Sequence, residues 1–340
     1  MNKVRLSICI PVYNFGAFIG ETLESIISQA SDEIEIVVVD GDSTDNTTEI
    51  IQGYQRTFPR LHYHRLAKRG GIDKDMAMTV EFAHGEYCWL FGGDDIMMPG
   101  AIAKVLSEIP HGHDIFLCES IVCRLDMTPI VKLAALRINT DRVFDLRKEN
   151  ERREYFEMAN YTPAFFSFCG SLVIKKSRWD AVAADESFAW SCWAHVARIF
   201  GMLSGGLRVK YLFEPVVYKR AGNDSFLDQG LVNRCRISID GYNAIADKFF
   251  GWQSMEAFHI RRILRNEWTL KNMLYAKSEC RKKHEAEDRK MLNRLASSLY
   301  SDPILINRFN MLIYRLSPVF ALKIAKSLFI FMGLLPRKAT

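Results

Sequence analysis

Short apolar runs alternate with segments of helical periodicity over residues 6–91, and this alternation constrains the fold more than any other feature. Such an order predicts parallel strands joined by crossover helices, an α/β fold with a mostly parallel sheet. In these sheets ligands bind at the carboxyl ends of the strands, so we expect the chemistry there. The predicted strands are 6–12, 33–40, 61–64 and 86–91, and the predicted helices are 19–29, 45–54 and 73–84.

The composition changes along the 340 residues and suggests two parts. Residues 1–228 carry the α/β pattern, although 115–218 mix short apolar runs with polar loops. Residues 229–340 are expected to form a helical region, with helices over 234–250 and 258–277 and a solvated charged run over 279–290.

The charge balance and the cysteines narrow the class of protein. Forty-five basic residues nearly match 40 acidic ones, so the net charge of +5 is too diffuse to indicate nucleic-acid binding. The eight cysteines are scattered without a C-x-x-C pair, which favours buried thiols in a reducing compartment. No signal-peptide pattern precedes the first strand, so we expect a cytoplasmic protein.

The segment 304–335 is basic and amphipathic. Its longest uncharged apolar run, 327–336, is too short to span a bilayer. Two interpretations remain open, a tail lying on the inner face of the cytoplasmic membrane or helices packed on the catalytic domain.

Two adjacent carboxylates, Asp94 and Asp95, follow the predicted strand 86–91 through two glycines. Like charges side by side are costly unless a cation lies between them, and Mg²⁺ or Mn²⁺ bridging to phosphate oxygens would supply one. An isolated Asp-Asp pair is more often a turn or helix cap, so its surroundings must decide.

Two other predicted strands also end in polar residues. Asp40 ends the second strand, Asp42 follows in its turn, and Pro11 and Tyr13 close the first. An acid at a strand end accepts hydrogen bonds from a nucleotide in other folds, and an aromatic ring can stack on a base. The three strand ends are expected to meet in one nucleotide-binding crevice.

The motifs SICIPVYN (7–14), VVVDGDSTDNT (37–47) and HGEYCWLFGGDD (84–95) resemble the family 2 glycosyltransferases of the GT-A fold. The segments SLVIKKSRWDA (171–181) and GNDSF (222–226) are similar to bacterial O-antigen abequosyltransferases. The likeness implies a GT-A nucleotide-sugar-binding domain followed by a C-terminal helical region.

The resemblance also implies roles for particular residues. Base and ribose would lie against Pro11, Tyr13 and Asp40, and ribose and metal against Asp94 and Asp95. The chain departs from many relatives at Gly41 and Gly92, where they carry acids, so Asp95 is expected to be the main metal ligand. Residues expected near the diphosphate are Arg220, Asn223 and Asp224.

The segment after Gly70-Gly71 offers a further contact with the donor. Lys74, between Asp73 and Asp75, is positioned to reach the diphosphate from a helix start. The alternative is a solvated first turn whose acids favour the helix N-terminus.

Family 2 enzymes are expected to invert the anomeric centre, which requires a base to deprotonate the acceptor hydroxyl. Relatives place an acidic pair at the start of a helix in the region that here spans 187–200, and this chain has no acid there. The candidates are His195, which is equally compatible with a buried structural role, and Asp185 and Glu186 upstream.

The leading hypothesis is an inverting, metal-dependent glycosyltransferase that moves a sugar from a CDP, UDP or dTDP donor to a lipid-linked saccharide. A CDP-linked dideoxyhexose is the first donor to try. The alternative is a degenerate nucleotide-sugar-binding or membrane scaffold protein without catalysis. A dinucleotide enzyme is disfavoured because the sequence has neither G-x-G-x-x-G nor a P-loop.

Overall fold

The computed structural model describes residues 3–223, 229–280 and 284–318. Residue contacts divide the chain into two units, Met1–Asn223 and Asp224–Thr340. Asp224 and the basic tail beyond residue 318 lie outside the described residues, so the expectations for them are not addressed by the structure.

The first unit is built on a mixed sheet of ten described strands with helices along the chain between them. The strands are β1 (Leu6–Val12), β2 (Ile34–Asp40), β3 (Leu61–Arg65), β4 (Tyr87–Leu90), β5 (Ile96–Met97), β6 (Ile115–Cys123), β7 (Pro129–Lys132), β8 (Arg142–Asp145), β9 (Leu172–Lys175) and β10 (Arg208–Arg220). The helices are α1 (Ile19–Ile27), α2 (Thr47–Thr57), α3 (Ile72–Glu81), α4 (Ala101–Glu108), α5 (Glu149–Met158), α6 (Lys176–Asp180) and α7 (Ala194–Gly201).

The strand order is β3-β2-β1-β4-β9-β6-β10-β5, with β7 paired to β6 and β8 to β10. Strands β1 to β4 are parallel, as the alternating sequence pattern predicts. Beyond them the sheet is mixed, because β9 runs antiparallel to both β4 and β6. The predicted α/β fold is confirmed.

The parallel strands β1, β2 and β4 are buried on both faces. Every residue of β1 and β2 is buried, which explains their nearly continuous apolar sequences. The indole of Trp89 on β4 packs in the same core and donates to the carbonyl of Gly170 at 2.8 Å. The sheet is therefore a rigid base for residues at its edge.

The second unit is helical, as the composition predicts. Its described helices are α8 (Leu231–Phe250), α9 (Met255–Glu267), α10 (Leu270–Ser278), α11 (Glu285–Leu299) and α12 (Leu305–Leu316). The single helix predicted over 258–277 is wrong: Trp268 ends α9, and the hydroxyl of Thr269 accepts from the Asn272 amide at 3.3 Å and starts α10.

Two further features concern the cysteines and the length of the apolar helices. All eight cysteines are free thiols, and six of them are buried. Among the helices of the described ranges, none has both the length and the apolar character needed to cross a bilayer.

Candidate functional site

The carboxyl ends of β1, β2 and β4 form one edge of the sheet. Val12 pairs with Asp40, so the residues that follow β1 and β2 lie side by side. After β4 the chain turns through Asp94 and Asp95 into β5, where Ile96 pairs with Tyr218 of β10. Parallel pairing thus gathers the three predicted strand ends at one edge.

The Asp94–Asp95 turn is fixed by the end of β10 and the residues after it. Asp95 is 3% exposed, and its Oδ1 accepts from the backbone amide of Arg220 at 2.9 Å. The Asp94 Oδ2 accepts from the side-chain amide of Asn223 at 3.0 Å. The two carboxylates are held by residues 125 positions or more away in sequence.

The two carboxylates lie in an electrostatically costly position. Burial, followed by the neighbouring charge of Asp94, raises the pKa of Asp95 to about 7, and burial also raises the pKa of Asp94. A Cβ on Gly92 would lie 2.7 Å from Oδ2 of Asp95 and 3.1 Å from Oδ1 of Asp94, so both carboxylates face that backbone. A cation between them would relieve the repulsion.

Arg220 braces this turn. Its Nε donates to the Asp94 carbonyl at 2.7 Å, Nη2 pairs with Glu21 on α1 at 2.6 Å, and Nη1 donates to the Leu125 carbonyl. The side chain is 4% exposed. The Arg220 guanidinium was expected near the diphosphate, but its nitrogen atoms bond to groups of the protein. Arg220 therefore stabilises the turn.

The residues predicted to bind the nucleotide at the ends of β1 and β2 lie together, but the protein holds some of them more firmly than others. Pro11 is buried within β1, and the guanidinium of Arg69 stacks 4.0 Å from the centroid of the Tyr13 ring. Asp42 adopts a left-handed backbone (φ 69°) and pairs with Arg65 at 3.0 Å.

Asp40 is fully buried, and both of its carboxylate oxygens are bonded within the protein. Oδ1 accepts from the Ser43 amide at 2.8 Å. Oδ2 accepts from the Tyr63 hydroxyl at 2.6 Å and the Thr48 hydroxyl at 3.2 Å. Asp40 therefore shapes the turn after β2.

Asp73 joins α3 to the start of α7. Its carboxylate accepts from the amides of Cys192 at 2.8 Å and Ala194 at 3.2 Å, across about 120 residues of sequence. The side chain is half-buried, and burial raises its pKa. Lys74 beside it is exposed, as in the solvated-turn interpretation.

The chain was compared with protein-family models and with curated proteins. The model described as Glycosyl transferase family 2 matches residues 7–175. The chain is 32% identical to abequosyltransferase RfbV of Salmonella typhimurium over 251 residues, 72% of this chain and 75% of the relative. The chain belongs to glycosyltransferase family 2.

Another relative matches a shorter stretch. The putative teichuronic acid biosynthesis glycosyltransferase TuaG of Bacillus subtilis is 31% identical over 104 residues, 31% of this chain and 41% of the relative.

Solved structures share the fold at low identity. S. aureus TarS 1-349 superposes with a TM-score of 0.61 and 14% identity over 98% of this chain and 93% of that one. A structure of the same protein in complex with UDP-GlcNAc gives a TM-score of 0.62 at 15% identity over the same shares. Mannosyltransferase PcManGT of Pyrobaculum calidifontis, in complex with GDP-Man and Mn²⁺, gives 0.52 at 14% identity over 98% and 88%. The GT-A expectation is confirmed.

The base candidates of this family 2 chain occupy different surroundings. His195 is buried on α7, its Nε2 lies 3.1 Å from the Phe166 carbonyl, and burial lowers its pKa to about 4. Asp185 accepts from the amide and hydroxyl of Ser187, and Glu186 is exposed. The imidazole is a weak proton acceptor in this environment, which favours its structural role.

In the described part of the chain, no group of three or more His, Cys, Asp or Glu side chains is arranged to hold a metal ion. The Asp94–Asp95 pair can hold one only with help from a ligand. Mg²⁺ is commonly bound through one or two carboxylates plus substrate phosphates and water. The pair, with its raised pKa values, fits that mode.

Two residues of this edge were not predicted as site residues, Arg69 on Tyr13 and Asp75 beneath the turn after β2. The only sequence signal for Asp75 is its place beside Lys74 after a double glycine. Of the two glycine backbones that it approaches, Gly70 lies in the same segment and Gly41 is distant in sequence.

We expect Asp95→Asn to stabilise the metal-free protein above neutral pH. The pKa of about 7 in the fold exceeds the unfolded value of about 4, so stability falls as pH rises through that window. Asparagine removes this loss, so the variant should gain about 1–3 kcal/mol at pH 8 and little at pH 4.5. Urea unfolding with EDTA at several pH values measures the difference.

The matched control is Asp247→Asn, which removes an exposed carboxylate on α8. Its difference from wild type should not vary with pH. An Asp95→Asn variant that tracks the control at every pH would show that Asp95 ionises normally.

Proposed function

We propose that this chain transfers a sugar from a nucleotide-sugar to a lipid-linked saccharide, with inversion at the anomeric carbon, in the assembly of a bacterial cell-surface polysaccharide. The observation that carries the proposal is the Asp94–Asp95 turn, held by Arg220 and Asn223 beside the ends of β1 and β2. The similarity to an abequosyltransferase and to a putative teichuronic acid biosynthesis glycosyltransferase supports the product class.

The donor is a nucleoside diphosphate sugar. Support comes from the similar folds of TarS in complex with UDP-GlcNAc and PcManGT in complex with GDP-Man. Because the abequosyltransferase likeness covers most of both chains, a CDP-linked dideoxyhexose is the first donor to test, followed by UDP and dTDP sugars.

Asp95 and Asp94 bind a divalent cation, Mg²⁺ or Mn²⁺, together with the donor diphosphate. When bound, the cation supplies charge stabilisation for the departing nucleoside diphosphate. Asn223 orients Asp94, and the Arg220 amide orients Asp95. Burial raises the pKa of both carboxyl groups, and the neighbouring cations Lys219 and Arg220 partly oppose that rise.

Asp73 is the proton acceptor for the incoming hydroxyl. Its carboxylate lies at the N-terminus of α7, and its charge and that of Asp95 both act on the Cys169 thiol, whose pKa burial raises to about 12. Asp73 and Asp95 thus both lie near enough to the Cys169 thiol to act on its charge. Burial raises the pKa of this half-buried carboxylate and so favours proton uptake, whereas burial lowers the pKa of His195 to about 4.

The face of α12 binds the inner surface of the cytoplasmic membrane. Its apolar side chains are Leu305, Ile306, Phe309, Leu312 and Leu316, which are 53–82% exposed, and Arg308 and Arg315 lie among them. Such a basic amphipathic face suits an anionic bilayer. The chain would thereby stay at the surface that holds lipid-linked acceptors.

We expect Mn²⁺ to increase the affinity of the wild-type chain for a nucleoside diphosphate at least tenfold, and Asp95→Asn to abolish that increase, because one metal ligand is lost. Calorimetric titration with CDP, UDP and dTDP, with and without Mn²⁺, measures both. The control is Glu49→Gln, an exposed carboxylate on α2. Equal binding with and without metal would contradict the metal site.

A transfer assay, run beside this titration, distinguishes an enzyme from a non-catalytic scaffold protein. The wild-type chain should also release nucleotide from one member of a nucleotide-sugar panel when given a lipid-linked acceptor. Tight donor binding with no transfer to any acceptor would support a non-catalytic binding protein instead.

We expect Asp73→Asn to lower kcat by about 10²- to 10⁴-fold, the usual contribution of a general base, with donor affinity unchanged. The acidic limb of the pH–rate profile should disappear with the carboxylate. Asp185→Asn, Glu186→Gln and His195→Ala are compared in the same assay. A large loss in one of these with a normal rate for Asp73→Asn would move the role to that residue.

We expect the pair Phe309→Glu and Leu312→Glu to weaken binding to phosphatidylglycerol vesicles at least tenfold, because two exposed apolar side chains of α12 no longer enter the bilayer. Vesicle sedimentation measures it. The control places the same charges on another exposed apolar pair, Ile130→Glu and Val131→Glu on β7. Unchanged vesicle binding by the α12 variant would contradict a membrane role for this face.

A further inference from the structure

Asp75 is a buried carboxylate at the edge of the sheet that no step of the proposed function uses. It lies on α3 and is 4% exposed. A Cβ on Gly41 would lie 2.7 Å from its Oδ2, and one on Gly70 would collide with its Oδ1. The carboxylate therefore occupies space at the carboxyl end of β2 that two residues without side chains leave open.

The hydrogen-bonding capacity of this carboxylate is incompletely used. Within the described residues, the buried Oδ1 has no hydrogen-bond partner. The Gly70 amide is near enough to lower the pKa of Asp75, yet it lacks hydrogen-bond geometry at Oδ1. Burial dominates and raises the pKa to about 6, although Arg69 and Lys74 oppose it. A buried acceptor without a partner in the protein is available to a donor from a ligand or a water molecule.

The neighbouring Asp40 shows the contrast. Its two oxygens hold three hydrogen bonds from the protein, and it has no exposed surface. A ligand would have to break these bonds to use it. Asp75 offers an acceptor at the same strand end without that cost.

The surroundings of Asp75 also match a flat ligand. The Arg69 guanidinium covers the Tyr13 ring at 4.0 Å, where a planar base can stack. Arg69 is joined directly to Gly70, whose backbone covers Oδ1. A base that stacks on Tyr13 would take the place of the Arg69 guanidinium, next to the segment that covers Oδ1 of Asp75.

We propose that Asp75 reads the nucleobase of the donor, accepting at Oδ1 a hydrogen bond from an N–H of a base stacked on Tyr13. The amino group of cytosine and the imide of uracil are donors of this class. A carboxylate only accepts, so it selects a base edge that presents an N–H and disfavours one that does not. The inference rests on the proposed function, because it assigns specificity at the same site.

The test combines a protein change with a ligand change. The probe is whichever of CDP, UDP and dTDP binds the wild-type chain most tightly, together with its analogue methylated at the reading nitrogen: N4,N4-dimethyl-CDP, or N3-methyl-UDP or -dTDP. Asp75→Asn should lose about tenfold to 100-fold in affinity for the normal probe, the usual range for a charge-assisted hydrogen bond. The methylated probe should lose a similar factor with wild type and little more with the variant.

Stability separates ligand reading from a structural role. Asp75→Asn and Asp75→Ala should unfold at or above the wild-type temperature without ligand, because an unpartnered buried carboxylate is removed. Glu81→Gln, at the exposed end of α3, controls for loss of charge on that helix. A structural carboxylate would instead cause a drop in stability.

The outcomes are distinct. Equal affinity of wild type and Asp75→Asn for the normal probe would overturn the reading role and leave the proposed function standing. Independent, additive losses from the two changes would also overturn it. A wild-type chain that binds none of the three nucleoside diphosphates would overturn the proposed function and the inference together.

Discussion

Parallel hydrogen bonding of β1 to β2 and β4 is the constraint on which the rest of this structure depends. It sets Val12 beside Asp40 and starts the Asp94–Asp95 turn at the same edge. The register is secure because both central strands are buried on two faces, and a slip by one residue would cost the packing of every side chain. Reactive groups carried on loops are thus positioned by the most rigid part of the molecule.

Local patterns predicted this half of the fold well. The bounds of β1 agree with its apolar run, and β2 begins one residue later than expected. The predictions from local patterns were wrong or incomplete at the break between α9 and α10, at Trp268 and Thr269, and at strands whose pairing partners are distant in sequence. Thr269 starts a new helix inside a continuous helical pattern. The antiparallel β9 depends on pairing with β4 and β6, which its own four residues do not reveal.

The candidate site was harder to predict from the sequence, because its carboxylates contact residues that are distant in sequence. At Gly41 and Gly92 the sequence lacks the acids that the family resemblance leads us to expect, yet carboxylates of Asp75 and of Asp94 and Asp95 lie beside those two backbones. The start of α7 likewise has no acid of its own, and Asp73 bonds its amides from α3. In the sequence, acids are missing at all three of these places. In the fold, carboxylates from other parts of the chain lie at each of them.

A position at a strand end does not determine what a carboxylate does. Asp40 and Asp75 lie at the same end of β2, but Asp40 is saturated by Ser43, Thr48 and Tyr63 and stabilises the turn. Burial raises the pKa of Asp75 and of Asp95, so ionising these two carboxyl groups costs the fold free energy. A carboxylate whose oxygens are hydrogen-bonded by the protein stabilises the fold. A buried carboxylate that lacks a donor or a cation gains free energy when a ligand supplies one. Hydrogen bonding, which only the fold reveals, therefore distinguishes Asp40 from Asp75 at the end of β2.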